Sequence, residues 1–395
     1  MDVDQIRTAF TALVTSAAPV EPCAAARAAL AAAGRTSTST STSTLPSGFG
    51  SDVTRDGEWL GHELEGVIPW PSIQAMAWSG GIPHTALVPP EMRAAMMAMR
   101  TGTPPIEPGF LMHTVPDGRI VVSDVAPGCS AAASGIRVGD VILLLEGEPV
   151  ERPVARLMRM YRHPAGTELP VKLVRGGVTL DVTLRLAPGR LPLVESRMVS
   201  SSVGHVLIRA VTASEDPERD VGALVRRAVE GMLRDGMRGL VLDVRSNPGG
   251  NSDGSVRTAS ALTAGTPMLS FRAKDGKESD VPRSGEPPAL AAKIVVLVDD
   301  QSSSSAEMLP LALREHAHAR LVGQDTAGAL TQPGMTPLRD GYMLMTPVAR
   351  SLGPVSRKAF DGDRLSVDVR VANRTPEDFA AGRDPQLAAA LEFLD

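Results

Sequence analysis

The stretch Lys293–Glu307, KIVVLVDDQSSSSAE, decides how the rest of the chain is organised. Its apolar and β-branched part, Ile294–Val298, is typical of a strand buried on both faces of a sheet. Four serines then precede Ala306–Leu313, a segment that favours a helix. A serine at such a junction lies near the unpaired N–H groups and the positive dipole end of the helix, which suits a nucleophilic oxygen. Serine is also a preferred N-cap, so on this stretch alone the capping interpretation is favoured.

The composition of the chain argues against several classes of protein. With 395 residues it is long enough for two or three domains. The formal net charge of −5 gives no reason to expect nucleic acid or an anionic membrane as a partner. The two cysteines, Cys23 and Cys129, are too few for a disulfide framework and lack metal-ligand spacing. The sequence therefore implies no metal and no cofactor.

Targeting signals are not visible in the sequence. No apolar stretch is long enough to span a bilayer. The first ten residues, MDVDQIRTAF, carry acidic residues early and have no cationic segment, so no signal peptide is predicted. The expected location is cytoplasmic, with a periplasmic or secreted protein as the alternative if the start is truncated.

Residues 1–106 predict an N-terminal helical region that contributes to the core. Its first part is rich in alanine, and Ile6, Phe10 and Leu13 recur at helical spacing. Residues 36–44 alternate between threonine and serine, which is typical of an exposed flexible linker.

Residues 107–188 change to a pattern of short alternating strands. Within them Pro127–Val150, PGCSAAASGIRVGDVILLLEGEPV, closely resembles a PDZ domain through its Gly-Ile and Gly-Asp-Val-Ile steps. Such domains bind extended peptide C-termini as an added strand and hold the terminal carboxylate with backbone N–H groups. The resemblance assigns that role to the loop residues Gly109, Phe110 and Leu111. A PDZ domain that serves only as a structural spacer is the alternative.

Residues 189–395 have the pattern of an α/β domain with a C-terminal tail. Val206–Ile208 and Leu240–Val244 are predicted as strands, and Asp216–Asp235 between them as an amphipathic helix. The opening strand, Ile294–Val298, continues this alternation. Strands that are separated by helices imply a largely parallel sheet with crossover connections.

Four motifs resemble those of the carboxy-terminal processing, or tail-specific, serine proteases. Leu242–Gly250, LDVRSNPGG, is similar to an Asp-Leu-Arg-x-Asn-Pro-Gly-Gly motif, and Ser304–Glu307 to the run that carries the nucleophile. Ile82–Thr85 and Asp361–Val369 resemble two further motifs, and all four stand in the family's order. The resemblance extends from residue 80 or so to residue 395. It implies a crotonase-like α/β peptidase core with an inserted PDZ domain.

The chain departs from this family at the general base. The processing proteases have a Gly-Lys-Gly whose lysine forms a Ser-Lys dyad, but the corresponding residue here is Ala329. Residues 326–328, Thr-Ala-Gly, instead resemble the branch that includes tricorn protease and the interphotoreceptor retinoid-binding protein repeats. That branch implies a Ser-His arrangement in which His84 is the base and Asp361 the acidic partner. An exposed turn is the alternative interpretation of Asp361.

The resemblance also implies roles for the serines and glycines. Ser304 is the expected nucleophile because it precedes Glu307 by three residues, while Ser303 and Ser305 stay open. Gly249, Gly250 and the amide of Ser305 would form the oxyanion hole. A tight turn after the strand is the structural alternative for the two glycines.

Together these features predict a serine endopeptidase that acts on protein or peptide substrates. Its PDZ domain would select or gate substrate C-termini, and whether the chain forms a homo-oligomer stays open. The alternative is a catalytically inactive peptidase-fold protein that binds peptides or hydrophobic ligands. The missing lysine at Ala329 and the irregular serine run at 302–305 favour this alternative.

Overall fold

The computed structural model describes most of the chain and defines its helices and strands. It describes residues 3–33, 45, 47, 49–64, 69–79, 81–93, 106–150, 160, 163–189, 192–285 and 292–394, and the predicted flexible tract at 36–44 lies outside these ranges. The helices are α1 Val3–Val14, α2 Pro22–Ala32, α3 Val53–Glu63, α4 Pro69–Trp78, α5 Ser130–Ala133, α6 Val221–Arg234, α7 Ser252–Leu262, α8 Ser305–Ala317, α9 Pro376–Ala380 and α10 Pro385–Leu391. The strands are β1 Ala86–Val88, β2 Phe110–Thr114, β3 Ile120–Val125, β4 Val141–Leu145, β5 Glu148–Pro149, β6 Glu168–Arg175, β7 Val178–Arg185, β8 Val194–Met198, β9 Val203–Ile208, β10 Gly239–Asp243, β11 Leu269–Ala273, β12 Glu278–Val281, β13 Lys293–Val298, β14 Arg320–Gly323, β15 Thr331–Pro337, β16 Met343–Leu352 and β17 Val369–Arg370.

The chain divides into two compact units. The first unit consists of Met1–Arg93, Phe271–Ser279 and Thr331–Ser351, and the second consists of the remaining residues. In the first unit α1–α4 share an apolar core that includes Phe10 and Leu60, both fully buried. Strand β1 pairs antiparallel with β16, and β15 pairs antiparallel with the other edge of β16. His84 lies in the turn that leads into β1.

The second unit contains an antiparallel sheet in the region predicted to be a PDZ domain. Its strand order is β2-β3-β4-β6-β7, with β5 paired to β4. Apolar side chains from these strands form one cluster, in which Leu173 and Leu184 are fully buried. Because β2 is at the end of this order, it is an edge strand of the sheet.

A second sheet of the same unit carries the α/β pattern. Its order is β17-β14-β13-β10-β9-β8, and all neighbours pair parallel except β8, which runs antiparallel to β9. Helices α6, α7 and α8 follow β9, β10 and β13 along the chain, as crossover connections require. The predicted α/β fold, with a largely parallel sheet and an additional β-rich sheet, is therefore confirmed, and the predicted domain boundaries at residues 106 and 188 stay a prediction.

The position of the candidate site follows from the register of the two central strands. Strands β10 and β13 are parallel neighbours, and Asp243 stands opposite Leu297. Both strands therefore end at the same edge of the sheet, where the carboxyl ends of parallel strands place their loops. The loop 244–251, which contains the Asn-Pro-Gly-Gly motif, meets the loop 299–304 at this edge.

Candidate active site

Ser304 lies at the junction between β13 and α8, where the sequence predicts the nucleophile. It is the N-cap of α8 and has a backbone with φ 57° and ψ −117°. A positive φ is costly for a residue with a side chain, and such strained residues cluster at functional sites. Ser304 is only partly buried, whereas Ser302 and Ser305 are 0% and 2% exposed. Of the four serines, Ser304 therefore combines backbone strain with access to solvent.

Ser302 has a structural role in the same loop. Its hydroxyl donates to the carbonyl of Val244 at 2.8 Å, and its N–H donates to the Asp299 carboxylate at 2.9 Å. The same carboxylate accepts the N–H of Ser246 at 2.8 Å. Burial, and in addition the charge of Asp300, raises the pKa of Asp299. These contacts tie the serine loop to the loop that follows β10.

Gly249 brings the two loops into direct contact. Its φ is 96°, and a Cβ at this position would lie 3.0 Å from Ser304 Cβ and 3.1 Å from Ser305 N. A side chain would therefore push the loops apart. The N–H of Gly249 donates to Oδ1 of Asn247 at 2.8 Å, so it is not available to an oxyanion in this conformation. Gly249 thus contributes close approach rather than a donor.

The two other predicted donors of the oxyanion hole are the N–H groups of Gly250 and Ser305. Within the part of the chain that the structure describes, neither of these N–H groups has a hydrogen-bond acceptor. Gly250 has a carbonyl neighbour on its other side, because a Cβ there would lie 1.8 Å from Val211 O. Any residue with a Cβ at position 250 would clash with this carbonyl oxygen, so only glycine fits there.

Glu307 connects the nucleophile to the loop in which the family's lysine would stand. Its side chain is fully buried, and Oε2 accepts the N–H groups of Ser304 at 2.8 Å and Ala329 at 2.7 Å. Oε1 accepts the N–H of Gly328 at 3.0 Å and the hydroxyl of Thr326 at 2.5 Å. Burial raises the pKa of Glu307 to about 7, while the hydrogen bonds act in the opposite direction. Sequence reasoning used Glu307 only to place Ser304 and did not anticipate these contacts.

His84 belongs to the first unit and also has a left-handed backbone, with φ 57°. Its Nδ1 lies 2.8 Å from Oγ1 of Thr331, which is 2% exposed. Burial lowers the pKa of His84 to about 4, and a hydrogen bond with the backbone of Thr331 opposes this shift. The imidazole is therefore neutral at neutral pH, which is the form that a general base requires. Thr331 was missed at the level of sequence, because it is remote from every motif around His84.

Asp361, the predicted acidic partner, begins a short 3₁₀ turn at Asp361–Asp363. The carbonyl of Asp363 accepts the N–H of Leu330 at 2.9 Å, so this hydrogen bond joins the turn to Leu330. The side chain of Asp361 lies outside what the structure describes. The role of Asp361 stays a prediction.

The motif that follows β10 also forms an ionic network. The Arg245 guanidinium contacts Oδ2 of Asp243 at 2.6 Å and both carboxylate oxygens of Asp384 at 2.9 Å. Burial is the largest single influence and raises the pKa of Asp243, but the charge of Arg245 together with the hydrogen bonds from His205 and Arg245 lowers that pKa below its usual value. Asp384 caps α10, so Arg245 fastens the loop after β10 to the C-terminal helix. The sequence motif contains Arg245, but nothing in it points to Asp384.

The predicted peptide-binding loop of the β-rich domain is well defined. Gly109 has φ 72°, and a Cβ there would lie 2.0 Å from Cys129 Cβ. The Gly109 N–H donates to Oε1 of Glu107 at 3.1 Å, whereas Phe110 and Leu111 are buried in the edge strand β2. An edge strand offers backbone groups to an added peptide strand. An incoming carboxylate would compete with Glu107 for the N–H of Gly109.

Two negative findings complete the description of the site. Among the residues that the structure describes, no group of three or more His, Cys, Asp and Glu side chains could hold a metal ion. In the same residues, no helix is both long enough and apolar enough to cross a membrane.

Two segments of the chain match known family models. Residues 202–371 match the model of peptidase family S41, and residues 98–186 match that of the PDZ domain. Taken with the motifs, residues 202–371 are therefore similar to peptidase family S41, and residues 98–186 are similar to a PDZ domain.

Individual relatives are named as carboxy-terminal processing proteases. The chain is 26% identical over 239 residues to the protease CtpA of Bacillus subtilis (strain 168), covering 60% of this chain and 50% of the relative. It is 25% identical over 260 residues to the carboxy-terminal-processing protease of Bartonella bacilliformis, covering 63% of this chain and 57% of the relative. The chain thus spans about half the length of the curated relatives that it matches. The expected resemblance to this family is confirmed.

Solved structures support the same fold. The photosystem II D1 C-terminal processing protease aligns with a TM-score of 0.58 and 21% identity, over 86% of this chain and 90% of that chain. Mature CPAF aligns with a TM-score of 0.51 and 14% identity, over 87% and 90%. At these identities the likeness concerns the fold alone.

Proposed function

We propose that the chain is a serine endopeptidase that cleaves peptide bonds in protein or peptide substrates. The observation that carries this proposal is the geometry at Ser304. A strained and partly exposed serine caps a helix directly beside Gly249, in a segment that matches peptidase family S41. A serine in this position can attack a carbonyl while neighbouring N–H groups face the oxygen that becomes negative.

The proposed reaction is acyl transfer through Ser304. Ser304 Oγ forms a bond to the peptide carbonyl carbon, and its proton moves to Nε2 of His84. The N–H groups of Gly250 and Ser305 donate to the oxyanion. His84 then returns the proton to the leaving amine as the C–N bond breaks, and water releases the acyl group by the same route.

The choice of a Ser-His rather than a Ser-Lys arrangement rests on two residues. Ala329 has no amine, so the lysine base of the related proteases is missing at that position. Burial lowers the pKa of His84 to about 4, so the imidazole is unprotonated over the whole neutral range, as a general base must be, and the same low pKa makes it a weaker base than an ordinary histidine. In this proposal Asp361 is the acidic partner of His84.

The PDZ domain is proposed to select or gate the C-termini of substrates. Its edge strand β2 would accept the substrate chain as an added strand, and the loop with Gly109, Phe110 and Leu111 would hold the terminal carboxylate. The bond between Gly109 and Glu107 supports a gated loop, because a substrate carboxylate must displace the carboxylate of Glu107.

The proposal is tested by labelling with a fluorophosphonate probe, which reacts with activated serines. We expect the wild-type protein to be labelled on the peptide that contains Ser304, and Ser304→Ala to be unlabelled and proteolytically inactive. Ser303→Ala serves as the matched control and should be labelled like the wild type. A wild-type protein that stays unlabelled, or a Ser304→Ala variant with full proteolysis, contradicts the proposal. An unlabelled protein that still binds peptides would favour the inactive, peptide-binding alternative.

A further inference from the structure

Glu307 is a buried carboxylate that the proposed reaction does not use. It is the third residue of α8, and its side chain is fully buried. It accepts hydrogen bonds from three separate parts of the site: the N-cap Ser304, the loop residues Gly328 and Ala329, and the side chain of Thr326. An acidic group is rarely buried so completely unless its partners are arranged around it.

We propose that Glu307 is a positioning residue for the nucleophile. Its carboxylate holds Ser304 and the loop 326–329 in the single arrangement in which Ser304 can attack. This inference rests on the proposed function, because positioning for attack presumes that Ser304 is the nucleophile.

All four partners of Glu307 are donors, which fixes the form of the carboxyl group. Three are backbone N–H groups, and the fourth is the Thr326 hydroxyl. That hydroxyl accepts the N–H of Leu365 at 2.9 Å, so its own proton points to Glu307. A protonated Glu307 would place its proton against one of these donors. The arrangement is therefore complete only with the ionised carboxylate.

Glu307 also determines which of the four serines is the N-cap. A glutamate three residues after the N-cap accepts the backbone N–H of that cap, as in a capping box. The N–H of Ser303 is already bonded to the carbonyl of Asn247 at 3.0 Å, and that of Ser302 to Asp299. Glu307 takes the N–H of Ser304 and leaves the N–H of Ser305 for the oxyanion. The division between structural and reactive N–H groups thus depends on this side chain.

The same carboxylate fastens the loop that carries a lysine in the related proteases. Two consecutive N–H groups, at Gly328 and Ala329, point to Glu307. Gly328 has φ 91°, and a Cβ there would lie 2.8 Å from the carbonyl oxygen of Gly362. The loop is therefore held on one side by Glu307 and on the other by the segment before Leu365. Its fixed form does not require a catalytic amine at position 329.

The experiment compares Glu307→Gln with Glu315→Gln in the full-length protein. Glu315 is the matched control, because it lies on the same helix and accepts two N–H groups, of Val355 and Ser356, at the surface. The first readout is amide hydrogen exchange of peptides that cover 302–308 and 326–331. A hydrogen bond to a charged group contributes enough for its loss to speed local exchange by roughly tenfold or more. The second readout is the rate of fluorophosphonate labelling, which we expect to fall roughly 100-fold when Ser304 is misplaced.

The outcomes separate this inference from the proposed function. We expect faster exchange in both segments and slow labelling for Glu307→Gln, with the Glu315→Gln variant unchanged in both. If Glu307→Gln is labelled as fast as the wild type, or exchange stays unchanged in both segments, the inference is overturned. If the wild type itself is unlabelled, the proposed function fails and the exchange data alone decide whether Glu307 holds the two segments. If Glu307→Gln does not fold, Thr326→Val removes one donor and must raise exchange at 326–331, and unchanged exchange there overturns the inference.

Discussion

Ser304 and His84 have the same left-handed backbone, with φ 57° in both, but they are held in different ways. Ser304 is fixed by its own helix and by the neighbouring loop, because Glu307 accepts its N–H and Gly249 packs against its Cβ. His84 stands in a turn, and its Nδ1 contacts a hydroxyl 247 positions later in the chain, on Thr331.

The backbone N–H of Ser304 is bonded to a side chain three residues away, whereas the ring of His84 is bonded to a side chain that is remote in sequence. The surroundings of Ser304 come from its own helix turn and from the loop that contains Gly249, so a single change there also reaches the oxyanion donors Gly250 and Ser305. The surroundings of His84 depend on burial and on one distant partner, so its protonation and its orientation can be altered separately. We therefore expect substitutions of His84 to act on proton transfer, and substitutions around Ser304 to act on the position of the nucleophile.

The largest effect is expected for His84→Ala. Loss of the base should lower the rates of labelling and of peptide cleavage by about 10²–10⁴-fold at neutral pH. His62→Ala is the matched control, because His62 is exposed and lies in the same unit. Labelling that proceeds at the wild-type rate in His84→Ala would mean that the base is another residue, and the Ser-His arrangement would have to be abandoned.

The pH dependence should contain two steps with different origins. His84 must be neutral to accept a proton, so the rate should fall about tenfold per pH unit below its pKa of about 4. Glu307 must be ionised to hold the loops, so the rate should also rise with pH through its pKa of about 7. The profile of kcat/KM between pH 3.5 and 9, measured alongside circular dichroism to follow folding, tests both steps.

Glu307→Gln sharpens this prediction, because it removes one step and leaves the other. The step near pH 7 should be lost in the variant, while the fall below about pH 4 should stay. A step near pH 7 that persists in Glu307→Gln would assign that titration to another group.

Much of the fold could be predicted from the sequence, because it depends on local periodicity. The apolar run before the four serines predicts a buried strand, and the structure has β13 at Lys293–Val298 with Val296, Leu297 and Val298 fully or almost fully buried. The predicted helix at 216–235 corresponds to α6, which begins at Val221 after the N-cap Asp220. The helix is shorter than predicted because the Asp220 side chain accepts the N–H of Ala223 and starts the first turn there.

The contacts of the site could be predicted only in part. Motif spacing assigns Ser304 and Glu307 to one helix turn, because residues three apart share a face. Nothing in a sequence states that Thr326 and Ala329 come back to that turn, since their approach depends on the path of the chain after β14. The hydrogen bond from the Gly249 N–H to Asn247 was also missed. The motif indicates a glycine at this position, but it does not state whether the N–H of that glycine points to an oxyanion or to a neighbouring side chain.

The smallest of these effects is expected for Thr331→Val, and it decides what orients His84. Valine keeps the shape and the backbone of threonine but removes the hydroxyl at 2.8 Å from Nδ1. A lost neutral hydrogen bond corresponds to roughly a tenfold slower reaction. The conservative variant Thr331→Ser should restore most of the rate, because serine keeps the hydroxyl. If Asp361→Asn instead slows the reaction far more than Thr331→Val does, the acidic residue orients the imidazole, and Thr331 only fills space beside it. Rates measured for the three variants with one substrate, each with its own pH profile, separate orientation of the ring from a shift of its pKa.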